Sequence, residues 1–446
     1  MYRDLTRGGI LRPLLLFALP MFAGNLLQQL YNIADTLIVS RAIGREALAA
    51  VGSAYTLMIF LTSILLGLSM GAGALFSICR GGGDESRLRR SIVHAFGLIG
   101  ACALILTALS YVLLPQILRL LQVPESVSPL MRSYLAVIFA GIPATFLYNF
   151  FACLLRSVGN SVTPLVFSGV SALLNVGLDL LFVLVFPWGV PGAAWATVIA
   201  QYVSGLGLML FTLRRCAALL PKKEELRFDG ALLREIFSLS SLTCVQQSVM
   251  NFGILMIQGL VNSFGEIVMA AFAAAVKIES FAYMPAQDFG NAYSTFVAQN
   301  YGAAQPERIR AGTRRSFAVV LGFCAAVSAL VLLFAGPLMR LFIPANETEV
   351  IAEGVYYLRC VAPFYFGIGF LFLFYALYRA VKRPAMSVVL TVVSLGTRVA
   401  LAYLTAGTLG VTGIWAAIPI GWVLADITGA VYYFRKRKAL LPETGQ

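Results

Sequence analysis

The amino-acid sequence predicts an all-α polytopic membrane protein, with twelve transmembrane helices in two six-helix lobes related by a parallel pseudo-two-fold repeat. The first observation is composition: the 446 residues are 59% hydrophobic and 12% charged, whereas soluble domains average about 25% charged residues. The second is the length of the apolar runs, which reach the roughly 20 residues that a helix needs to cross a bilayer. The third is an internal duplication of the whole pattern.

The apolar runs predict helices rather than the strands of a membrane barrel, because they are long and lack the two-residue alternation of such strands. Short polar connections separate them. The predicted spans are residues 10–38, 47–77, 91–114, 130–155, 162–186, 190–213, 234–262, 269–298, 315–335, 351–378, 385–406 and 410–434.

The duplication is visible in residues that shape helices and turns, which recur in order at offsets between 220 and 223 residues. Six spans return the chain to its starting side, so the two copies have the same orientation and the repeat is parallel. We therefore predict an N-terminal lobe at 1–213, a cytoplasmic linker at 214–233 and a C-terminal lobe at 234–446. The recurring pairs are Gly44 and Gly265, Pro115 and Pro337, Pro124 and Pro344, Pro143 and Pro363, Arg156 and Arg379, Pro164 and Pro384, Gly192 and Gly413, and Trp195 and Trp415.

The net charge of +13 reflects membrane topology rather than a nucleic-acid partner. With the N-terminus placed in the cytoplasm, 25 of the 33 Lys and Arg residues fall on the cytoplasmic side, as the positive-inside rule requires. We therefore expect a multi-pass protein of the inner (cytoplasmic) cell membrane with both termini in the cytoplasm. No GxxxxGK[ST] phosphate loop occurs in the sequence, so we do not expect this chain to hydrolyse ATP. We expect a transporter and not an enzyme.

The first span carries a polar stripe. Asn25, Gln28, Asn32 and Asp35 are spaced by three or four residues, which places them on one helix face. Polar groups inside spans are costly and usually face the bundle interior or a cavity. Pro20 lies one turn before the stripe and removes a backbone hydrogen bond, which can kink the helix. A carboxylate in low dielectric resists ionisation unless a cation pairs with it, so Asp35 is a candidate switch.

The fifth and sixth spans add further polar groups at one-turn spacing. Asn175 and Asp179 share a face of the fifth span, and Thr197 and Gln201 share a face of the sixth. Two carboxylates with amide and hydroxyl oxygens suit Na⁺, or a proton shared between two acids. The alternative for Asp35 is a helix end wetted by the interface, and the alternative for Asp179 is a helix-packing hydrogen bond.

The second copy has polar groups but no matching carboxylate pair. Gln247 and Asn251 lie on a polar stripe of the seventh span, which contains no acid between residues 240 and 262. Lys277 and Glu279 in the eighth span are two residues apart and do not face each other. Both are candidates for a cavity wall or gate, with pairing to other helices as the alternative.

These residues together resemble the multidrug and toxic compound extrusion (MATE) family, in its bacterial form, over essentially the whole chain. The motifs that carry the resemblance are Pro20, Asn25, Asp35 and Gly44 in and after the first span, Leu154 to Asn160 with Pro164 after the fourth span, and Lys277 to Ala303 around the eighth span.

The resemblance implies twelve helices in two lobes, a central cavity, and export coupled to inward H⁺ or Na⁺. Family cation-site positions match Asp35, Asn175, Asp179 and Thr197, and the first-helix proline of the family matches Pro20. Acids that some members carry on helices seven and ten are absent here, so the resemblance places coupling in the first lobe. No cofactor beyond the coupling ion and no obligate protein partner is implied.

The sequence therefore predicts a secondary active multidrug efflux antiporter that exports organic, amphipathic cations by alternating access. One alternative is a lipid-linked oligosaccharide flippase, which shares the architecture but commonly places several cationic residues in its cavity. Here Lys277 and Arg398 are the only central candidates. A second alternative is an intramembrane aspartyl protease using Asp35 and Asp179, although the glycine pattern before Asp179 is incomplete.

Overall fold

The computed structural model describes residues 3–120 and 127–441, which are helical throughout their regular structure and contain no strand. Twelve helical segments within those ranges are long and apolar enough to cross a membrane. The predicted fold class is therefore confirmed. One position of the repeat, Pro124, lies outside the described residues.

The first copy contains eight α-helices, because a short helix follows the third span and the fourth span is divided. They are α1 (Leu11–Ala42), α2 (Arg45–Gly81), α3 (Glu85–Val112), α4 (Leu114–Leu120), α5 (Ser128–Ile138), α6 (Ile142–Ser157), α7 (Val162–Asp179) and α8 (Gly189–Arg215).

The second copy repeats this order with seven α-helices. They are α9 (Gly230–Asn262), α10 (Glu266–Gly302), α11 (Pro306–Arg340), α12 (Thr348–Val361), α13 (Tyr365–Ala380), α14 (Pro384–Leu409) and α15 (Val411–Leu440).

The fourth and tenth spans are each broken near the middle, whereas the sequence predicts continuous helices at 130–155 and 351–378. A 3₁₀ turn separates α5 from α6 and another separates α12 from α13. Pro143 lies in the first turn of α6, and Pro363 lies inside the second 3₁₀ turn. Proline has no N–H to donate, so it favours the first turn of a helix and kinks or breaks a helix when it lies in the interior. The same break in both copies follows from the same repeated proline.

The chain packs into two compact units. The first comprises Met1–Asp4 and Leu19–Cys244, and the second comprises Leu5–Ala18 and Val245–Gln446. The division falls inside α1 and inside α9 rather than in the linker between the repeats. Every polar residue named above between Asn25 and Gln201 therefore belongs to the first unit.

Within the first unit, α2 crosses the beginning of α9 at unusually short range. A Cβ atom at Gly67 would lie 2.6 Å from the Cα of Cys244, and one at Gly71 would lie 2.5 Å from the carbonyl oxygen of Leu239. The two glycines are one turn apart, the spacing at which small residues let helix backbones approach in membranes. Glycine is required at both positions because the opposing atoms are backbone.

The linker is held against α3 of the same unit. Arg89 donates to both carboxylate oxygens of Glu225 at 2.7 and 2.8 Å, which is the bidentate geometry of a strong ion pair. This pair, with the backbone of Lys222, holds the pKa of Glu225 at about 2. The backbone N–H of Asp229 donates to Nε2 of His94 at 2.9 Å. His94, in α3, therefore helps to dock the linker.

Candidate cation-binding site

The first unit brings two acidic side chains from different helices into direct proximity. Asp179 is the last residue of α7 and is completely buried, while Asp35 lies half-buried in α1. Each carboxyl group lies within electrostatic range of the other. Ionised carboxylates only accept hydrogen bonds, so a hydrogen bond between the two groups would need a proton on one of them.

Asn175 and Thr197 complete the site beside the acidic pair. The Asn175 amide donates to the Thr197 hydroxyl oxygen at 3.3 Å, and that hydroxyl donates to the Ala193 carbonyl at 3.1 Å. Asn175 lies one turn before Asp179 on α7, so its remaining polar atom belongs to the same cluster.

The buried polar atoms of this cluster that have no hydrogen-bond partner are all oxygens. Within residues 3–120 and 127–441, no hydrogen-bond partner reaches Oδ1 of Asp35, Oδ1 of Asn175, or either carboxylate oxygen of Asp179. Buried polar atoms are normally paired, and each exception calls for a cause. A donor-free set of oxygens fits a shared proton or a hard monovalent cation. No group of three or more His, Cys, Asp or Glu side chains that could hold a metal ion occurs in the described ranges.

The helix that carries Asp179 changes its hydrogen-bond pattern immediately after this residue. Leu180–Val185 form a π-helical turn, in which the N–H of Phe186 donates to the Leu181 carbonyl at 2.9 Å. A π turn inserts one residue into the helical repeat and is frequent at functional sites. Phe182 stacks on Trp188 just beyond it, with ring centroids 4.6 Å apart. The site therefore lies at a local irregularity that a regular 3.6-residue pattern does not predict.

Two tyrosines that the sequence analysis did not select accompany the acids. Tyr134 on α5 is buried and lies within electrostatic range of both Asp35 and Asp179. Tyr31 lies on α1 one turn before Asp35 and hydrogen bonds with Gln28. The position of Tyr31 on the polar stripe could have marked it, because the two residues are four apart. Tyr134 carries no such signal, since it comes from another helix.

The other predicted first-copy residues surround this site less closely. Pro20 is half-buried inside α1, which is helical from Leu11 to Ala42. Asn25 and Asn32 are half-buried and Gln28 is exposed. Gln201 lies on α8 one turn after Thr197, beside the 3₁₀ break of the fourth span, where its Oε1 faces the backbone of Gly141. Their assignment to a cavity wall stays a prediction.

In the second unit, the two charged residues predicted for the eighth span lie in different environments. Lys277 is exposed and Glu279 is buried, as expected for residues two apart on a helix. The Tyr357 hydroxyl donates to Oε2 of Glu279 at 2.6 Å, and Arg398 lies within electrostatic range of the same carboxylate. Glu279 thus has a hydrogen-bond donor and a counter-charge. Gln247 is buried and Asn251 is half-buried on α9.

The described residues form twelve apolar helices, arranged as two copies of a six-helix unit, and carboxyl groups are buried among these helices. These features define a multi-pass membrane transporter. The MatE family model matches residues 20–181 and again 243–404, once in each copy. The chain belongs to this family, the multidrug and toxic compound extrusion transporters, and the resemblance seen in the sequence is confirmed.

Similar proteins span the chain almost completely. The probable multidrug resistance protein YpnP of Bacillus subtilis (strain 168) is 30% identical over 437 residues, which cover 96% of each chain. The FAD transporter of Shewanella oneidensis is 27% identical and covers 96% of this chain and 94% of its own. Among solved structures, the outward-facing conformation of a multidrug resistance MATE family transporter has a TM-score of 0.92 at 23% identity, covering 98% of both chains. At that identity the likeness concerns the fold.

Proposed function

We propose that this chain is a secondary active antiporter that exports amphipathic organic cations in exchange for H⁺ or Na⁺ by alternating access. The unpaired buried oxygens of Asp35, Asn175 and Asp179 carry the proposal. Thr197 positions Asn175 by accepting a hydrogen bond from its amide. Relatives named as multidrug resistance proteins support the substrate class. The proximity of the two carboxyl groups supports H⁺ as the coupling ion, because a proton can bridge them directly.

The acidic pair can act as a conformational switch because the electrostatic repulsion between the two carboxylates depends on whether a cation is bound. Two unit charges about 4 Å apart repel by about 4 kcal/mol at an effective dielectric constant of 20. A cation bound between Asp35 and Asp179 removes that repulsion. A ligand shifts two conformations only by its differential affinity for them, and about 5.5 kcal/mol moves a population from 1:99 to 99:1. A repulsion of that size is comparable with this energy, so binding of a cation to the pair favours the arrangement of the first unit in which the two carboxyl groups lie close together.

The orientation in the membrane follows from the charges of the loops. Lys and Arg are concentrated at residues 3–12, 80–90, 214–234 and 435–438, in and around the ends of the helices. By the positive-inside rule we place these stretches, and both termini, in the cytoplasm. In a bacterial cell this corresponds to the inner membrane, with coupling ions entering as substrate leaves.

The proposal is tested in proteoliposomes loaded with a fluorescent organic cation such as ethidium. Outward-to-inward gradients of H⁺ and of Na⁺ are imposed separately at zero membrane potential, and efflux is followed by fluorescence. We expect one of the two gradients to drive efflux against the ethidium gradient. Efflux that ignores both gradients would contradict ion-coupled antiport.

Two additional cargoes separate the alternatives. FAD is the anionic cargo to compare, because one relative is named as an FAD transporter. A lipid-linked oligosaccharide tests the flippase alternative. Gradient-driven movement of FAD alone would keep antiport but replace the substrate class, whereas flipping of the lipid without ethidium transport would replace the function.

A further inference from the structure

We propose that Asp426, in the middle of α15, is a second proton-binding site that belongs to the second unit and operates independently of the Asp35–Asp179 pair. Neither the sequence patterns nor the relatives assign a role to this residue. Its consequence for transport rests on the proposed antiport, but the presence of the bound proton does not.

Asp426 lies deep within a membrane span. Its helix runs from Val411 to Leu440, and the first basic residue of the C-terminal cluster, Arg435, is nine residues further on. At 1.5 Å per residue this places Asp426 about 13 Å along the helix from that cluster. An ionisable residue at such a position is by default a functional candidate.

The carboxyl group has no partner to stabilise a negative charge. Its Oδ1 atom is buried and accepts no hydrogen bond from any residue in the described ranges. Burying an isolated carboxylate away from water carries a large free-energy cost, so such a group is neutralised instead. A proton is the smallest cation that can do this.

The neighbours of Asp426 are poor in polar groups. It faces α13 at Gly367, where an added Cβ atom would lie 3.6 Å from Oδ2 of Asp426 and 3.2 Å from the Cβ of Trp422. The bare backbone of α13 at Gly367 thus faces this carboxyl group, and Trp422 lies one turn before Asp426 on α15. Hard metal cations are bound by several oxygen ligands, and neither Gly367 nor Trp422 has a side-chain oxygen. The surroundings select a proton over Na⁺.

The titratable and charged groups around Asp426 do not replace the proton. From α13 the nearest is Tyr375, which is neutral at physiological pH. From α14, Arg398 packs its Cβ against Gly421, but its charge acts on Glu279 and on neighbouring tyrosines.

Two other acids of the second unit, Glu279 and Glu353, show what a compensated carboxylate looks like here. Glu279 has the Tyr357 hydroxyl and the charge of Arg398. Glu353 accepts a hydrogen bond from the Trp415 indole at 3.0 Å. Asp426 has neither kind of partner, so its environment resembles that of a group that gains and loses a proton as the unit rearranges.

A second proton changes the electrical character of transport. Exchange of one proton for one organic monocation moves no net charge, whereas exchange of two protons moves one positive charge inward. A membrane potential of 100 mV then changes the steady-state substrate ratio by ~45-fold. With Asp426 unable to bind a proton, the same potential should have no effect on that ratio.

Infrared spectroscopy of the purified full-length protein at neutral pH tests the bound proton without requiring transport. We expect a protonated-carboxyl C=O band, shifted by exchange into D₂O, that is reduced in Asp426→Asn. The matched control is Glu307→Gln, which removes an exposed carboxylate of the same unit that pairs with Arg310 and should leave the band unchanged. Identical bands in wild type and Asp426→Asn would overturn the proposal.

Proteoliposomes test the coupled proton. Ethidium is distributed under a K⁺-diffusion potential at equal pH, and in a second arm under a pH gradient at zero potential. We expect wild type to respond to both, and Asp426→Asn to respond only to the pH gradient. A variant that keeps the full response to potential would contradict a coupled second proton. If the wild-type protein responds neither to the potential nor to the pH gradient, the proposed antiport is contradicted. The infrared result then still decides whether Asp426 holds a proton.

Discussion

Gly71→Ala in α2 should destabilise the first unit by forcing α2 and α9 apart. The added Cβ would lie 2.5 Å from both the Leu239 carbonyl oxygen and the Cα of Ser240. Ordinary contacts begin at about 3.4 Å, so the helices must separate by nearly 1 Å or bend. Overpacking of this kind costs about 1–3 kcal/mol. For a unit of this size the cost corresponds to a fall in Tm of about 2–12 °C.

Thermal unfolding in detergent, followed with a thiol-reactive fluorophore, measures the effect directly. Cys79 and Cys153 are buried in the first unit and become reactive when it unfolds. Gly52→Ala is the matched control, because Gly52 lies on the same helix with no atom within 4 Å of its added Cβ. Alanine favours a helix interior by roughly 0.5–1 kcal/mol over glycine, so the control should be neutral or stabilising. A Tm for Gly71→Ala at or above that of the control would refute the close crossing.

Two further predictions concern stability. The pKa of Glu225, held at about 2 beside Arg89, lies below its ordinary value of 4.5, so the contribution of Glu225 to stability is complete above about pH 4.5 and is lost as the pH falls toward 2. Glu225→Gln should therefore flatten the loss of Tm across that window, and an unchanged acid limb would contradict the docking of the linker. Tyr357→Phe removes the hydroxyl that donates to the buried Glu279 carboxylate and should cost about 1–3 kcal/mol. Tyr356→Phe removes a hydroxyl that makes an exposed hydrogen bond and should change stability by less than about 0.5 kcal/mol. Equal Tm values for the two variants would count against the buried contact.

The sequence predicts the helices well because bilayer thickness imposes their length and composition. It also contains the signal for the broken fourth and tenth spans, since Pro143 and Pro363 occur at matching positions of the two copies. The π turn after Asp179 has no comparable signal.

The candidate site is predictable where its residues share a helix and harder to predict where they do not. The stripe of α1 selects Asp35, and one-turn spacing selects Asn175 with Asp179. The approach of Asp35 to Asp179 required the resemblance to a known family. Tyr134 could not be selected, because it reaches the pair from another helix. Asp426 was visible as the only acid of the twelfth apolar segment, but its lack of a partner is evident only in the structure.

The most direct test of the central claim is the accumulation that a pH difference supports in proteoliposomes containing Asp35→Asn, Asp179→Asn or both. At zero membrane potential, each exchanged proton contributes about 1.4 kcal/mol, or a factor of ten in the substrate ratio, per unit of pH difference. We expect each single variant to lose at least that factor, and the double variant to lose no more than either single, because one proton is shared by the pair. Glu307→Gln, which changes an exposed carboxylate, should retain the wild-type ratio. Wild-type accumulation by either single aspartate variant would contradict the assignment of the coupling ion to this pair.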